Sequence, residues 1–138
     1  MGNEVLEFAE AIGAKGLKSE PAFSKFRTLF RRNNYFVLGK DQFLIIKISR
    51  IKRPFWGLGK KFVELFNSLT KESGNYFLVA LVSNKSGWVL SKNEILSRIS
   101  NESLSYSERT QEYKIIDLKD RQGFTSVESF ITKIGFSR

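Results

Sequence analysis

The chain has 138 residues, a formal net charge of +9 and a sequence pI of about 9.9. It contains neither cysteine nor histidine, which excludes disulfides, thiol nucleophiles, histidine general bases and the usual zinc sites. Apolar residues make up 41% of it, so one domain over residues 1–138 can bury a core.

The ends and the apolar runs of the chain predict a cytoplasmic protein that does not contact a membrane. The N-terminus lacks the basic stretch and following apolar run of a signal peptide. No apolar run approaches the ~20 residues of a membrane-spanning helix. The absence of cysteine agrees with a reducing compartment.

Apolar periodicity and turn residues predict alternating helices and strands. In chain order, the predicted elements are a helix over 5–12, a helix from Pro21 towards Asn33, an antiparallel hairpin of strands 35–38 and 43–49, a basic loop over 50–57, a helix from near Leu58 to Leu69, strands over 76–83 and 88–90, a helix capped by Ser91 and Glu94, a polar loop over 100–112, a strand over 113–118 and a helix capped by Thr125 and Glu128.

The strand–helix–strand unit over residues 43–83 predicts two parallel strands with a crossover helix packed on the sheet. Together with the hairpin and the later strands, it indicates an α/β (mixed α+β) domain. We expect a mixed sheet of about five strands with helices on one or both faces.

Positive charge is concentrated between residues 25 and 61, where Asp41 is the one acid. Cations interleaved with aromatic residues favour a polyanionic partner over a small neutral ligand. The candidate nucleic-acid contacts are Arg31, Arg32, Lys40, Arg50, Lys52, Arg53, Trp56, Gly57, Gly59, Lys60 and Lys61.

Two features of this segment have alternative interpretations. Gly57 and Gly59 lead into a helix whose first-turn lysines oppose the helix dipole, so the helix start either holds a phosphate or carries lysines without a ligand. Trp56 either stacks on an exposed base or covers the sheet edge as part of the core. For Phe55 and Trp88 the core is favoured.

The strand that carries Lys47, preceded by a hairpin and followed by a crossover helix, resembles the core of the PD-(D/E)xK nuclease superfamily. Tyr76–Ser83 and Gly87–Ile95 resemble the next strand, turn, strand and short helix of that core, so the resemblance covers roughly residues 21 to 99. It implies Lys47 as the catalytic lysine and Mg²⁺ as the cofactor, with Asp41 and Glu64 as candidate acids. Ile45 stands where the family has an acid two positions before the lysine.

These patterns lead to a nucleic-acid-binding module, with DNA favoured over RNA, in which the nuclease-like core is used without its catalysis. The first alternative is a Mg²⁺-dependent endonuclease that uses Lys47. The second is an interaction subunit whose basic face binds an acidic protein. A homodimer is compatible with all three functions.

Overall fold

The described part of the chain contains four α-helices and eight strands, whose bounds largely follow the apolar pattern. The computed structural model describes residues 3–26, 34–116, 118 and 121–136. The helices are α1 (Glu4–Ile12), α2 (Lys60–Leu69), α3 (Lys92–Ser100) and α4 (Val127–Ile134), with 3₁₀ turns over Leu17–Ser19 and Pro21–Phe26. The strands are β1 (Lys15–Gly16), β2 (Tyr35–Leu38), β3 (Gln42–Ile48), β4 (Trp56–Gly59), β5 (Asn75–Leu81), β6 (Gly87–Ser91), β7 (Ser105–Ser107) and β8 (Glu112–Ile115).

The main sheet has five strands in the order β1-β2-β3-β5-β6. Neighbours pair antiparallel except β3 and β5, which are parallel, with Gln42 opposite Asn75 and Lys47 opposite Ala80. The crossover between these two parallel strands contains α2. This arrangement confirms the predicted mixed sheet, the hairpin and the strand–helix–strand unit.

Helices cover both faces of the main sheet because its central strands are apolar on both sides. On one face, Leu44 and Ile46 of β3 pack in a core with residues of α1 and α4, including Phe8 and Phe130. On the other face, Ile45 packs in a second core that includes residues of α2 and α3. A strand buried on both faces reads as a continuous apolar run, as this one does.

A second, three-stranded sheet in the order β4-β8-β7 was not predicted. Trp56 and Leu58 are buried and alternate with two glycines, which is the period of a strand. The prediction of a loop reaching residue 57 was therefore wrong, and α2 begins at Lys60 rather than near Leu58. The predicted polar loop over 100–112 likewise contains β7.

The ends of several other elements also differ from the sequence pattern. The N-cap of α4 is Ser126, which forms a capping box with Ser129, rather than Thr125. The described part of the predicted second helix is a 3₁₀ turn that starts at Pro21, and the rest of that helix lies outside the described residues. The capping box of Ser91 with Glu94 at α3 is confirmed.

Among the residues that the structure describes, none of the helices has both the length and the apolar character required to cross a membrane.

Candidate nucleic-acid interface

The basic loop is shorter than the sequence suggested and spans Arg50–Phe55, between β3 and β4. Its two ends are held together at Ser49, whose backbone N–H donates to the carbonyl oxygen of Leu81 at 3.0 Å. The Ser49 hydroxyl accepts a hydrogen bond from the backbone N–H of Phe55 at 3.3 Å. The loop is therefore closed at its base, and its residues project from a fixed position at the end of β3.

The predicted cations of this loop are exposed. Arg50, Lys52 and Arg53 all have exposed side chains. Arg50 pairs with Glu4 of α1, with 3.1 Å between Nη1 and Oε2. Neither Lys52 nor Arg53 forms an ion pair with a described residue. Lys52 and Arg53 thus present charge that is available to a polyanion.

Of the two neighbouring aromatic residues, Trp56 lies in the core and Phe55 lies on the surface, which is the reverse of the expectation for Phe55. Trp56 is 2% exposed, and its indole N–H donates to the carbonyl oxygen of Leu81 at 3.1 Å, so it belongs to the core and cannot stack on a base. Phe55, for which the core was favoured, is 43% exposed. Trp88 is partly buried against Trp56, with 5.9 Å between ring centroids, as predicted for a core residue.

The register of the second sheet explains why Trp56 faces the core and Phe55 faces solvent. Trp56 lies opposite Ile115 and Gly57 lies opposite Lys114. Directly opposed residues in an antiparallel pair point to the same face of the sheet. Trp56 and Ile115 face the core, whereas Lys114 and its neighbour Ile116 are exposed on the outward face, to which Phe55 also belongs.

Phe55, Lys114 and Ile116 form an exposed surface that we call the Phe55 patch. The Lys114 ammonium nitrogen lies 4.6 Å from the centroid of the Phe55 ring, within the range of a cation–π contact. Ile116 is 38% exposed. Lys114 and Ile116 were missed because β8 is distant in sequence from the basic segment, and alternation within that strand was the one signal that could have found them.

The start of α2 offers less to a phosphate than the two glycines suggested. Gly57 and Gly59 belong to β4, and the first backbone N–H of the helix, that of Lys60, donates to the carbonyl oxygen of Gln111 at 3.0 Å. A Cβ at position 57 would lie 2.8 Å from a carboxylate oxygen of Glu112. The absence of a side chain at Gly57 leaves room for the Glu112 carboxylate. A carboxylate at this position repels phosphate.

Glu112 also separates the candidate cations that lie on either side of β4. Lys60 and Lys61 are exposed in the first turn of α2, as predicted. The Glu112 carboxylate lies over β4 between these lysines and the basic loop. The loop cations and the helix lysines are thus two groups separated by a negative charge.

The remaining predicted contacts do not join the loop. Lys40 is exposed in the turn between β2 and β3. That turn is at the opposite end of β3 from Arg50, about 20 Å or more away at ~3.3 Å per residue. Arg31 and Arg32 lie outside the described residues.

The three candidate catalytic residues lie in different places. Lys47 is half-buried near the end of β3, opposite Ala80 of β5. Asp41 precedes the start of the same strand, where its backbone carbonyl accepts a hydrogen bond from Asn75, so about 20 Å separate it from Lys47. Glu64 is exposed on α2, between the buried Val63 and the half-buried Leu65.

The position of Asp41 does not fit the Mg²⁺ site that the nuclease resemblance implies. Mg²⁺ binds oxygen ligands at ~2.1 Å, so Asp41, about 20 Å along β3 from Lys47, cannot bind an ion held beside that lysine. Among the described residues, His, Cys, Asp and Glu form no group of three or more that could hold a metal ion. The residues near Lys47 on β3 are apolar, and Ile45 faces the core.

Comparison with family models, curated proteins and solved structures found no match to this chain.

Proposed function

We propose that this protein binds nucleic acid through the basic loop Arg50–Phe55 and the adjoining Phe55 patch. The observation that carries the proposal is the position of the Lys114 ammonium, 4.6 Å from the centroid of an exposed Phe55 ring. Exposed Lys52 and Arg53 lie in the same loop. Cations that track phosphates, beside an aromatic ring available to a base or sugar, are the two components of such an interface.

The charge of the loop sets the salt dependence of binding. Each phosphate neutralised releases condensed counterions, so the logarithm of affinity falls with the logarithm of salt concentration by about 0.9 for each phosphate contacted on duplex DNA and about 0.7 on a single strand. Arg50, Lys52, Arg53 and Lys114 are the four cations of the interface, and the Glu112 carboxylate, which lies over Gly57 opposite Lys114, opposes phosphate binding at that lysine. Contacts from all four predict a slope of about −3 to −3.5.

The first test replaces the two loop cations that have no described ion pair. In the double variant Lys52→Ala, Arg53→Ala, we expect weaker binding to labelled DNA and RNA and a salt slope closer to zero by about 1.4 to 1.8, because two phosphate contacts are lost. Both side chains are exposed, so thermal stability should be unchanged. Fluorescence anisotropy over a salt series measures both affinity and slope.

The matched control removes two exposed lysines elsewhere, Lys71 after α2 and Lys133 on α4. The double variant Lys71→Ala, Lys133→Ala lowers the net charge equally. If it weakens binding as much as the loop variant does, net charge and not the loop accounts for binding, and the proposed interface is wrong.

The same binding reactions, run with and without Mg²⁺ and then analysed on a denaturing gel, separate the alternative functions. Strands shortened only when Mg²⁺ is present, and intact in a Lys47→Ala variant, would favour the endonuclease. Absence of binding to any nucleic acid at low salt would favour an acidic protein as the partner of the basic face. A cytoplasmic location and a homodimer remain proposals, and size-exclusion chromatography with light scattering tests the dimer.

A further inference from the structure

The Phe55 ring is held in an exposed position by the backbone on either side of it. Its own N–H donates to the Ser49 hydroxyl, and Ser49 is 9% exposed. The next residue, Trp56, is anchored in the core by its hydrogen bond to Leu81. Pro54 directly precedes Phe55, and the proline ring restricts the backbone at that point. The ring is thus oriented outward before any ligand binds, which lowers the entropic cost of using it.

The surroundings of the ring combine apolar surface with positive charge. Ile51 of the basic loop is 56% exposed and Ile116 of the Phe55 patch is 38% exposed. Phosphate groups do not require exposed isoleucine side chains, whereas bases and sugars have apolar faces that these side chains can cover. Lys114 lies over one face of the Phe55 ring, so a base stacks either on the other face or after the ammonium has moved aside to a neighbouring phosphate.

We infer that the interface takes single-stranded nucleic acid, with one unpaired base stacked on the Phe55 ring while the cations around it contact the flanking phosphates. This inference rests on the nucleic-acid binding proposed above. In a duplex the flat faces of the bases are covered by their neighbours, so an aromatic ring on a sheet surface has no base to stack on. In a single strand the bases can turn outward, and every base offers a face for stacking.

The test compares three substitutions of Phe55 on a labelled oligo-dT, an oligo-U and a duplex of the same length. Phe55→Leu keeps the apolar character and removes the planar ring, whereas Phe55→Trp keeps the planar ring. We expect Phe55→Leu and Phe55→Ala to lose about 5- to 150-fold in affinity for the single strands, which corresponds to one lost base stack. Phe55→Trp should bind them within about threefold of the wild type, and the wild type should prefer single strands to duplex.

A second measurement reports contact with the ring directly. Trp56 and Trp88 are buried or partly buried in both proteins, so they give a common background of tryptophan fluorescence. We expect oligo-dT to quench the fluorescence of Phe55→Trp more than that of the wild type, because the added indole stacks on a base. Equal quenching in the two proteins would contradict the inference.

Other outcomes would overturn the inference in distinguishable ways. If Phe55→Leu binds single strands as the wild type does, or if duplex is preferred, the ring does not stack on an unpaired base. In that case a loss of binding in the Lys52, Arg53 double variant would still support the proposed function. Binding to vesicles of phosphatidylserine and phosphatidylcholine that is stronger than binding to oligo-dT, and is retained by Phe55→Leu, would replace nucleic acid by an anionic membrane surface.

Discussion

The ion pair between Arg50 and Glu4 connects the basic loop to α1. The Glu4 side chain is 19% exposed, and its Oε1 is buried and accepts no hydrogen bond from a described residue. Arg50 is more exposed, so its guanidinium can be reached from solvent. If the proposed interface binds phosphate, the Glu4 carboxylate competes with that phosphate for Arg50.

This competition predicts that Glu4→Gln strengthens nucleic-acid binding. An exposed ion pair stabilises by about 0–1 kcal/mol, so release of Arg50 should raise affinity by up to about fivefold at low salt. Anisotropy titrations measure the change. Glu7→Gln, in the same first turn of α1, removes the same charge without breaking an ion pair to the loop. If Glu7→Gln raises affinity as much, the effect comes from net charge and the competition is absent.

Substitution by a smaller side chain should lower the free energy of unfolding at Trp56 but hardly change it at Phe55. Trp56→Phe leaves a small cavity and removes a donor to Leu81, so we expect the free energy of unfolding to fall by about 1–3 kcal/mol. Phe55→Leu, on the exposed surface, should change it by less than about 0.5 kcal/mol. Urea unfolding measures both. An equal loss of unfolding free energy in the two variants would contradict the different burial of the two rings.

At the scale of elements, β6 would leave an open edge on the main sheet, and residues 121–124 cover it. Phe124 exchanges two backbone hydrogen bonds with Gly87, and the Trp88 indole N–H donates to the carbonyl oxygen of Arg121. The Arg121 guanidinium donates to the carbonyl oxygen of Val89 and pairs with Glu94 of α3. An uncovered strand edge invites pairing with another chain, and this segment provides partners for backbone groups of Gly87 and Val89 at that edge.

Glu94 connects this edge to α3 and should make the stability of the fold depend on pH. Burial raises the pKa of Glu94, but hydrogen bonds from Arg121 and Ser91 and the charge of Arg121 outweigh it, so the pKa lies below its ordinary value. A carboxylate whose pKa is lowered by folding stabilises the fold above its unfolded pKa. That stabilisation is lost as the pH falls through the lower folded pKa.

We therefore expect the wild type to lose more stability than Glu94→Gln when the pH falls from about 7 to about 3, since the variant has no carboxylate to protonate. Urea midpoints at the two pH values measure the difference. Glu72→Gln, at an exposed position after α2, controls for the loss of one negative charge. A Glu94→Gln variant with the pH dependence of the wild type would show that the pair with Arg121 does not stabilise the fold.

At the scale of the whole molecule, the parallel pair β3 and β5 determines where the proposed interface lies. The basic loop leaves the carboxyl end of β3, beside the carboxyl end of β5, where Leu81 accepts hydrogen bonds from both Ser49 and Trp56. Ligands of open α/β sheets commonly bind at this end of the strands. Lys40 and Asp41 lie at the other end, which is why the described cations between residues 40 and 61 do not form one surface.

The sequence by itself determined the elements that depend on local patterns. The hairpin, the parallel strands with their crossover helix, the capping box at Ser91 and the exposed cations of the basic loop were all readable, because apolar periodicity and turn chemistry act between residues close in the chain. These predictions account for most of the main sheet and for the location of the proposed interface.

Only the tertiary structure decided which of two neighbouring side chains faces the core and which faces solvent. Alternation shows that Phe55 and Trp56 point to opposite sides of a strand, but it does not show which side is the core. The register with β8 decides it: Ile115 brings Trp56 into the core, and Lys114 meets Phe55 outside. Such pairing depends on residues distant in sequence, so local patterns could not supply the second sheet, the Phe55 patch, or the Glu112 carboxylate that lies over β4.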